Sequence, residues 1–344
     1  MAPRSSSARG SPKARQAPAP KGRKAEGFGG FTLPTAAGLD AVTAAPQRLL
    51  RIDEVPAWLR FNKFILTGYR PPMTVRRAFK SFFEFHNESI NVWGHFCAAL
   101  VLLYLIIVPP VTQYFDFRAT SNAAPSSLNA VVGEEYLYGT TSNFFRFLAV
   151  ASMMFIFTAS SAYHLFMPAC HCANSYGKLL CVDVLGALVS ITVSAFSFTL
   201  HGDPCRPQRE NLFHTGLLLA TFCIVVYSIL FSKLTVGHRF AVFGLHCLLR
   251  GILCHLTLYP RLVAEGQYLA YYYHMYGLVV LTLGGVINTL RVPERFLQGG
   301  HHRWVDYVLN SHNLWHYCCL HSCIVTVLAC YYQELEWGVS PCIR

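Results

Sequence analysis

Charge is what this chain has least of. Asp, Glu, Lys and Arg together make up 13% of its 344 residues, about half of the roughly 25% found in soluble globular domains. So little charge cannot clothe a water-facing surface, which argues against a soluble enzyme. The regular alternation of a soluble core is also missing. No internal repeat is evident. No apolar core follows the first basic residues, as a cleaved secretory signal would need. The Asp-Arg-Tyr and Asn-Pro-x-x-Tyr signatures of ordinary seven-helix G-protein-coupled receptors are absent as well.

What the chain has instead is apolar residues, 53% of the total, gathered into blocks. A hydrocarbon slab of ~30 Å selects helical stretches of about 20 apolar residues, because each residue advances 1.5 Å. Seven such stretches can be read, at about 90–108, 144–165, 179–200, 212–231, 240–258, 269–290 and 311–332. Pro109-Pro110, Pro168, Gly202-Asp203-Pro204 and Pro260 fall at their ends, where helix breakers belong. The expected fold is therefore an all-α integral membrane protein, a seven-transmembrane helix bundle over 90–332.

The net charge of +11 is concentrated before the first span. Residues 1–50 are rich in Arg, Lys, Pro, Ser, Ala and Gly and cannot bury enough apolar surface to offset their ordering entropy, so they read as a disordered basic tail. Residues 51–89 form a juxtamembrane segment, and 333–344 a short tail on the far side. Basic loops stay cytosolic. Arg70, Arg76, Arg77 and Lys80 precede the first span, and Lys178, Lys233, Arg239, Arg291, Arg295 and Arg303 lie on the same side by alternation. The opposite side holds only Arg118, Arg206, Arg209, Arg261 and Arg344. This places the N-terminus in the cytosol and the C-terminus outside or in a lumen. The basic segment is expected to meet anionic lipid head groups rather than nucleic acid. The sequon Asn87-Glu88-Ser89 then faces the cytosol and stays unmodified, while Cys205 and Cys342 share the far side and are candidates for a disulfide.

Five polar residues stand out against this apolar background. Ser160 and His164 are four apart near the end of the second span, so they share one helix face. Asp183 opens the third span. His312 and His316, again four apart, open the seventh. The second span runs outward-to-inward while the third and seventh run the other way, so all five residues lie at the cytosolic level. Ionisable groups held at one depth within a membrane mark a functional site, because polar groups in hydrocarbon are costly. Zn2+ suits three imidazoles: a catalytic zinc takes three protein ligands and keeps one position open, and it lowers the pKa of a water there to ~7. Asp183 is placed to take or orient a proton, and Ser160 to hydrogen-bond to substrate, water or ligand. A zinc that merely ties three helices together is the alternative.

The order Ser-x-x-x-His, Asp, His-x-x-x-His resembles the progestin and adipoQ receptor family, as does Glu88-Ser89-Ile90-Asn91-Val92-Trp93-Gly94-His95. The likeness runs from about Phe61 to Tyr332. Four blocks are similar to the fourth-member subgroup in particular: 61–71 (FNKFILTGYRP), 162–166 (AYHLF), 291–295 (RVPER) and 310–312 (NSH). Gly94 departs from the threonine of many relatives, and the basic tail is no family feature. The resemblance implies seven helices, a cytosolic N-terminus, and a zinc held by His164, His312 and His316, with Asp183 on its water. It also implies a Golgi or plasma-membrane location. Some members of this family are regarded as ceramide hydrolases and others as progestin receptors. The leading expectation is a zinc-dependent lipid amide hydrolase with a ceramide-like substrate. The alternatives are a lipid, steroid or protein-hormone receptor or scaffold with structural zinc, and, less favoured, a transporter.

Other residues are less decisive. His86 and His95 read as interfacial anchors beside Glu88. Cys170-His171-Cys172 reads as a plain or lipidated loop. Arg250, deep in the fifth span, requires a partner such as a lipid head group or a helix carbonyl.

Overall fold

A computed structural model of the chain describes residues 48–107, 132–200, 206–232, 236–266, 268–297 and 303–339. The expected disordered tail falls almost wholly outside these residues, as do Cys205 and Cys342. Among the described residues the regular secondary structure is helical, apart from one isolated antiparallel bridge between Leu50 and Tyr69. A short helix, α1 (Val75–Lys80), precedes seven long ones: α2 (Ser89–Ile107), α3 (Val132–Phe166), α4 (Ala173–Thr199), α5 (Gln208–Leu230), α6 (Val236–Glu265), α7 (Leu269–Leu290) and α8 (Ser311–Val339). Six of these, α3 to α8, contain stretches long and apolar enough to cross a membrane, and α2 supplies a shorter apolar stretch, Ser89–Tyr104. The protein is a multi-pass membrane protein.

Apolar side chains face outward as well as inward. Leu217, Leu245, Val279 and Ile324 are all exposed on helix surfaces, which water would penalise and lipid does not. The buried layer between the helices is built from residues such as Met153, Phe157, Leu188, Phe198, Leu218 and Leu258. Helix α2 packs on α3 and α3 on α4, while α8 lies along α7 and returns to touch α2 and α3. The last helix thus meets the first ones and closes the bundle. At Gly284 the approach is close: an added Cβ would sit 2.5 Å from that of Cys318 on α8.

Hydropathy located the helices and misjudged several ends. The expected span at 269–290 coincides with α7, but α3 begins at Val132 and α8 runs on to Val339. Backbone hydrogen bonding propagates a helix past the apolar stretch that identifies it. Likewise α4 starts at Ala173, where the Cys172 sulfur accepts from the Ser175 amide at the N-cap. Asp183 therefore lies ten residues inside its helix rather than at its opening.

Pro260 does not end α6; it sits within it. A proline lacks the N–H that would bond the carbonyl four residues earlier, here Leu256. The Arg206 guanidinium donates to that carbonyl at 3.0 Å and to the Thr257 hydroxyl at 3.1 Å. The orphaned acceptor is satisfied from the neighbouring α4–α5 connection, so the helix continues.

Candidate metal centre

His164 is in the last turn of α3, while His312 and His316 occupy successive turns at the start of α8. The bundle brings them together. The Nε2 of His312 is 3.4 Å from that of His164 and 3.1 Å from that of His316, and one nitrogen from each ring lies within 4.8 Å of the others. A tetrahedral ion with metal–nitrogen bonds of about 2.05 Å sets its ligand atoms about 3.3 Å apart. The observed spacing fits that arrangement.

For two of the three rings the outer nitrogen explains why Nε2 turns inward, while His312 Nδ1 has no hydrogen-bond partner. His164 Nδ1 is 2.9 Å from Glu88 Oε2, and His316 Nδ1 is 2.6 Å from His95 Nε2. A carboxylate on Nδ1 places the proton there and leaves the Nε2 lone pair free for a cation. Burial opposes the charge on Glu88, but hydrogen bonds from His164 and Asn91 prevail and hold its pKa down at about 2. Asn91 donates to Glu88 at 2.7 Å, and Asn313 donates to Asn91 at 2.7 Å, so the carboxylate is itself anchored to α8. The Asp183 carboxylate lies within electrostatic reach of His164 and near the Ser160 hydroxyl. All five residues singled out in the sequence are therefore at one end of the bundle.

Glu88, Asn91 and His95 correct the sequence reading. His95 is buried against His316 and Phe157 rather than anchored at an interface. His86 is buried too, and its Nδ1 accepts from the Glu88 amide. The signal was present, since positions 88, 91 and 95 form a polar stripe along one face of an apolar helix.

The segment before α2 folds over this end of the bundle. Asn62 donates to Glu294, which also accepts from the amide and the hydroxyl of Ser311 at the first turn of α8. Two backbone amides, Leu66 and Thr67, and the Thr67 hydroxyl all donate to Asp306. Gly68, at φ +88°, turns the chain beneath Tyr307, where an added Cβ would come within 2.9 Å of that ring. Arg70 donates to the carbonyls of His164 and Leu165, the orphan acceptors of a helix C-terminus. The four blocks that carried the resemblance are thus joined around the histidines. Between them a pocket bounded by Phe61, Tyr69, Glu88, Asn91, Asn310 and His312 has room for about one water molecule.

A bundle of membrane-crossing helices with three converging imidazoles at one end defines the class of protein. A family model for haemolysin-III-related proteins matches residues 83–327, and the chain belongs to that family. It is 28% identical over 303 residues to the human protein called progestin and adipoQ receptor family member 4, covering 86% of this chain and 94% of that one. The mouse protein of that name is 29% identical over 300 residues, covering 86% and 93%. Heptahelical transmembrane protein 1 of Arabidopsis thaliana is 27% identical over 280 residues, covering 80% and 77%.

Proposed function

We propose that the protein is a zinc-dependent lipid amide hydrolase with a ceramide-like substrate. The convergence of three Nε2 atoms, backed by Glu88 and His95 and flanked by Asp183, carries this reading. His164, His312 and His316 would hold the ion, which supplies Lewis-acid polarisation of a carbonyl and a water of lowered pKa. Glu88 and His95 fix the rings. Asp183 accepts the proton given up by water and returns it to the leaving amine, while the Ser160 hydroxyl, on the same helix face as His164, is placed to hydrogen-bond to substrate or water. Closure by the 48–88 segment keeps bulk water from the site, so substrate enters sideways from the bilayer.

In this reading α2 is the first of seven spans and the N-terminus is cytosolic. Helix α1 and its surroundings suit an anionic leaflet: Val75, Phe79 and Phe83 are exposed beside exposed Arg76 and Lys80. Apolar side chains enter the interface while the basic ones meet head groups. The relatives named as receptors support a second reading, in which zinc is structural and a ligand is sensed without turnover.

The test is purified protein assayed for metal and for fatty acid released from ceramide, wild type beside Asp183→Asn. The hydrolase reading expects about one zinc in both and a loss of at least ~100-fold in release for the variant. Zinc in the wild type without release from any acylated sphingoid lipid favours the receptor.

A further inference from the structure

Most polar side chains inside the bundle find a protein partner. His246 bridges the hydroxyls of Thr192 and Thr221 at 3.0 and 2.9 Å, and Ser322 donates to the Gly277 carbonyl at 2.9 Å. Arg250 is treated differently. It lies midway along α6, 14 residues after Val236 and 15 before Glu265. At 1.5 Å per residue it is about 20 Å from either helix end, too far for its side chain to reach a membrane surface. It is 6% exposed.

Its Nε donates to the Ile191 carbonyl at 3.3 Å, and its guanidinium carbon lies 5.4 Å from the centre of the Phe198 ring. These are its contacts among the described residues, and neither uses the two terminal nitrogens as hydrogen-bond donors. Its electrostatic neighbours among the described residues are His246, Cys247, Cys254, His274 and Cys323. No acid is among them. A lone cation within a membrane is costly until an anion joins it. Around Arg250 stand Phe198, Leu253 and Cys254 of one buried apolar cluster, together with the imidazoles of His246 and His274.

We propose that Arg250 anchors an internal site for the anionic head group, carboxylate or phosphate, of a single-chain lipid. Two free N–H groups in one plane match the paired oxygens of either group. An ordinary bilayer lipid keeps its head group at the surface, about 15 Å from mid-depth. The ligand must therefore be slender enough to leave its leaflet and enter the bundle head first. The site is distinct from the histidines: Ile191 lies eight residues beyond Asp183 along α4, about 12 Å at 1.5 Å per residue. The inference does not depend on the hydrolase reading.

The test is equilibrium binding to the purified full-length protein in detergent. Radiolabelled oleate, oleyl phosphate and oleyl alcohol are compared in wild type, Arg250→Gln and Arg250→Lys. Wild type is expected to bind at least one of the anions on the order of ten- to a hundred-fold more tightly than the alcohol; which of the two identifies the head group. Arg250→Gln brings that anion down to the level of the alcohol, and Arg250→Lys retains part of the preference. Removing metal with a chelator leaves the preference intact. A photoreactive analogue with its diazirine beside the head group labels residues near Phe198 or Leu253 in the wild-type chain, which keeps the proposal testable if Arg250→Gln does not fold. Equal binding of acid and alcohol, full anion binding by Arg250→Gln, loss of binding on metal removal, or labelling beside His312 would each overturn it.

Discussion

Arg70 and Arg250 are buried to nearly the same extent, 5% and 6% exposed, yet the chain provides for them in opposite ways. Arg70 donates to Ser81 and to two carbonyls at the end of α3. Burial lowers its pKa only to about 10, so it stays charged at neutral pH. Arg250 donates to a single carbonyl. The difference separates two regions of the bundle. The histidine end is a polar network in which carboxylates, amides and imidazoles satisfy one another, His312 Nδ1 excepted. The middle mixes apolar side chains with a few polar ones such as His246, and there one cation makes a single hydrogen bond. Saturation holds a fixed geometry, and an unfilled donor set is what a ligand can recognise.

Several changes would break or sharpen this contrast. The largest effect is expected from His312→Ala, which removes one of the three proposed ligands. Bound zinc should fall from about one per chain to near none by elemental analysis, and retention of full zinc would remove the histidine end from metal chemistry altogether. Glu88→Gln keeps the shape but loses the charge on His164. Metal affinity should weaken by about 10- to 100-fold in a chelator competition, with His95→Ala weakening it through His316 instead. Next come the two arginines themselves. Arg70→Ala orphans two helix-end carbonyls and should cost about 1–3 kcal/mol in thermal unfolding. Arg250→Gln, measured without ligand, should cost less, because it removes an unpaired buried charge; similar losses in both would erase the distinction. The smallest effect belongs to Gly94→Thr, early in α2. Nothing lies within 4 Å of the added Cβ, so stability should move by no more than about 0.5 kcal/mol.

Much of the site was legible before any tertiary information. His312 and His316 share a face because they are four apart, and counting crossings brings His164 and Asp183 to the same end of the bundle. Glu88 and His95 were visible as a polar stripe, but their role was not. Reading His86 and His95 as interfacial anchors beside Glu88 assumed that a histidine near a helix start faces head groups, whereas α2 turns His95 toward α3 and α8. The bonds from Asn62 to Glu294 and from Thr67 to Asp306 join residues more than 200 positions apart, and no periodicity announces such a pairing. Pro260 misled for a related reason. Its effect on α6 depends on a donor from Arg206, which only folding brings within reach.

The sequence by itself determined that the chain lives in a membrane, roughly where its helices run, and which histidines share a level. Those properties follow from local hydropathy and helical repeat, which each segment carries alone. Only the tertiary structure decided which ring nitrogen each histidine turns inward, what holds it there, and that Arg250 has spare donors. Such facts belong to contacts between distant segments, and hydrogen bonds of that kind exist only once helix packing has set the distances.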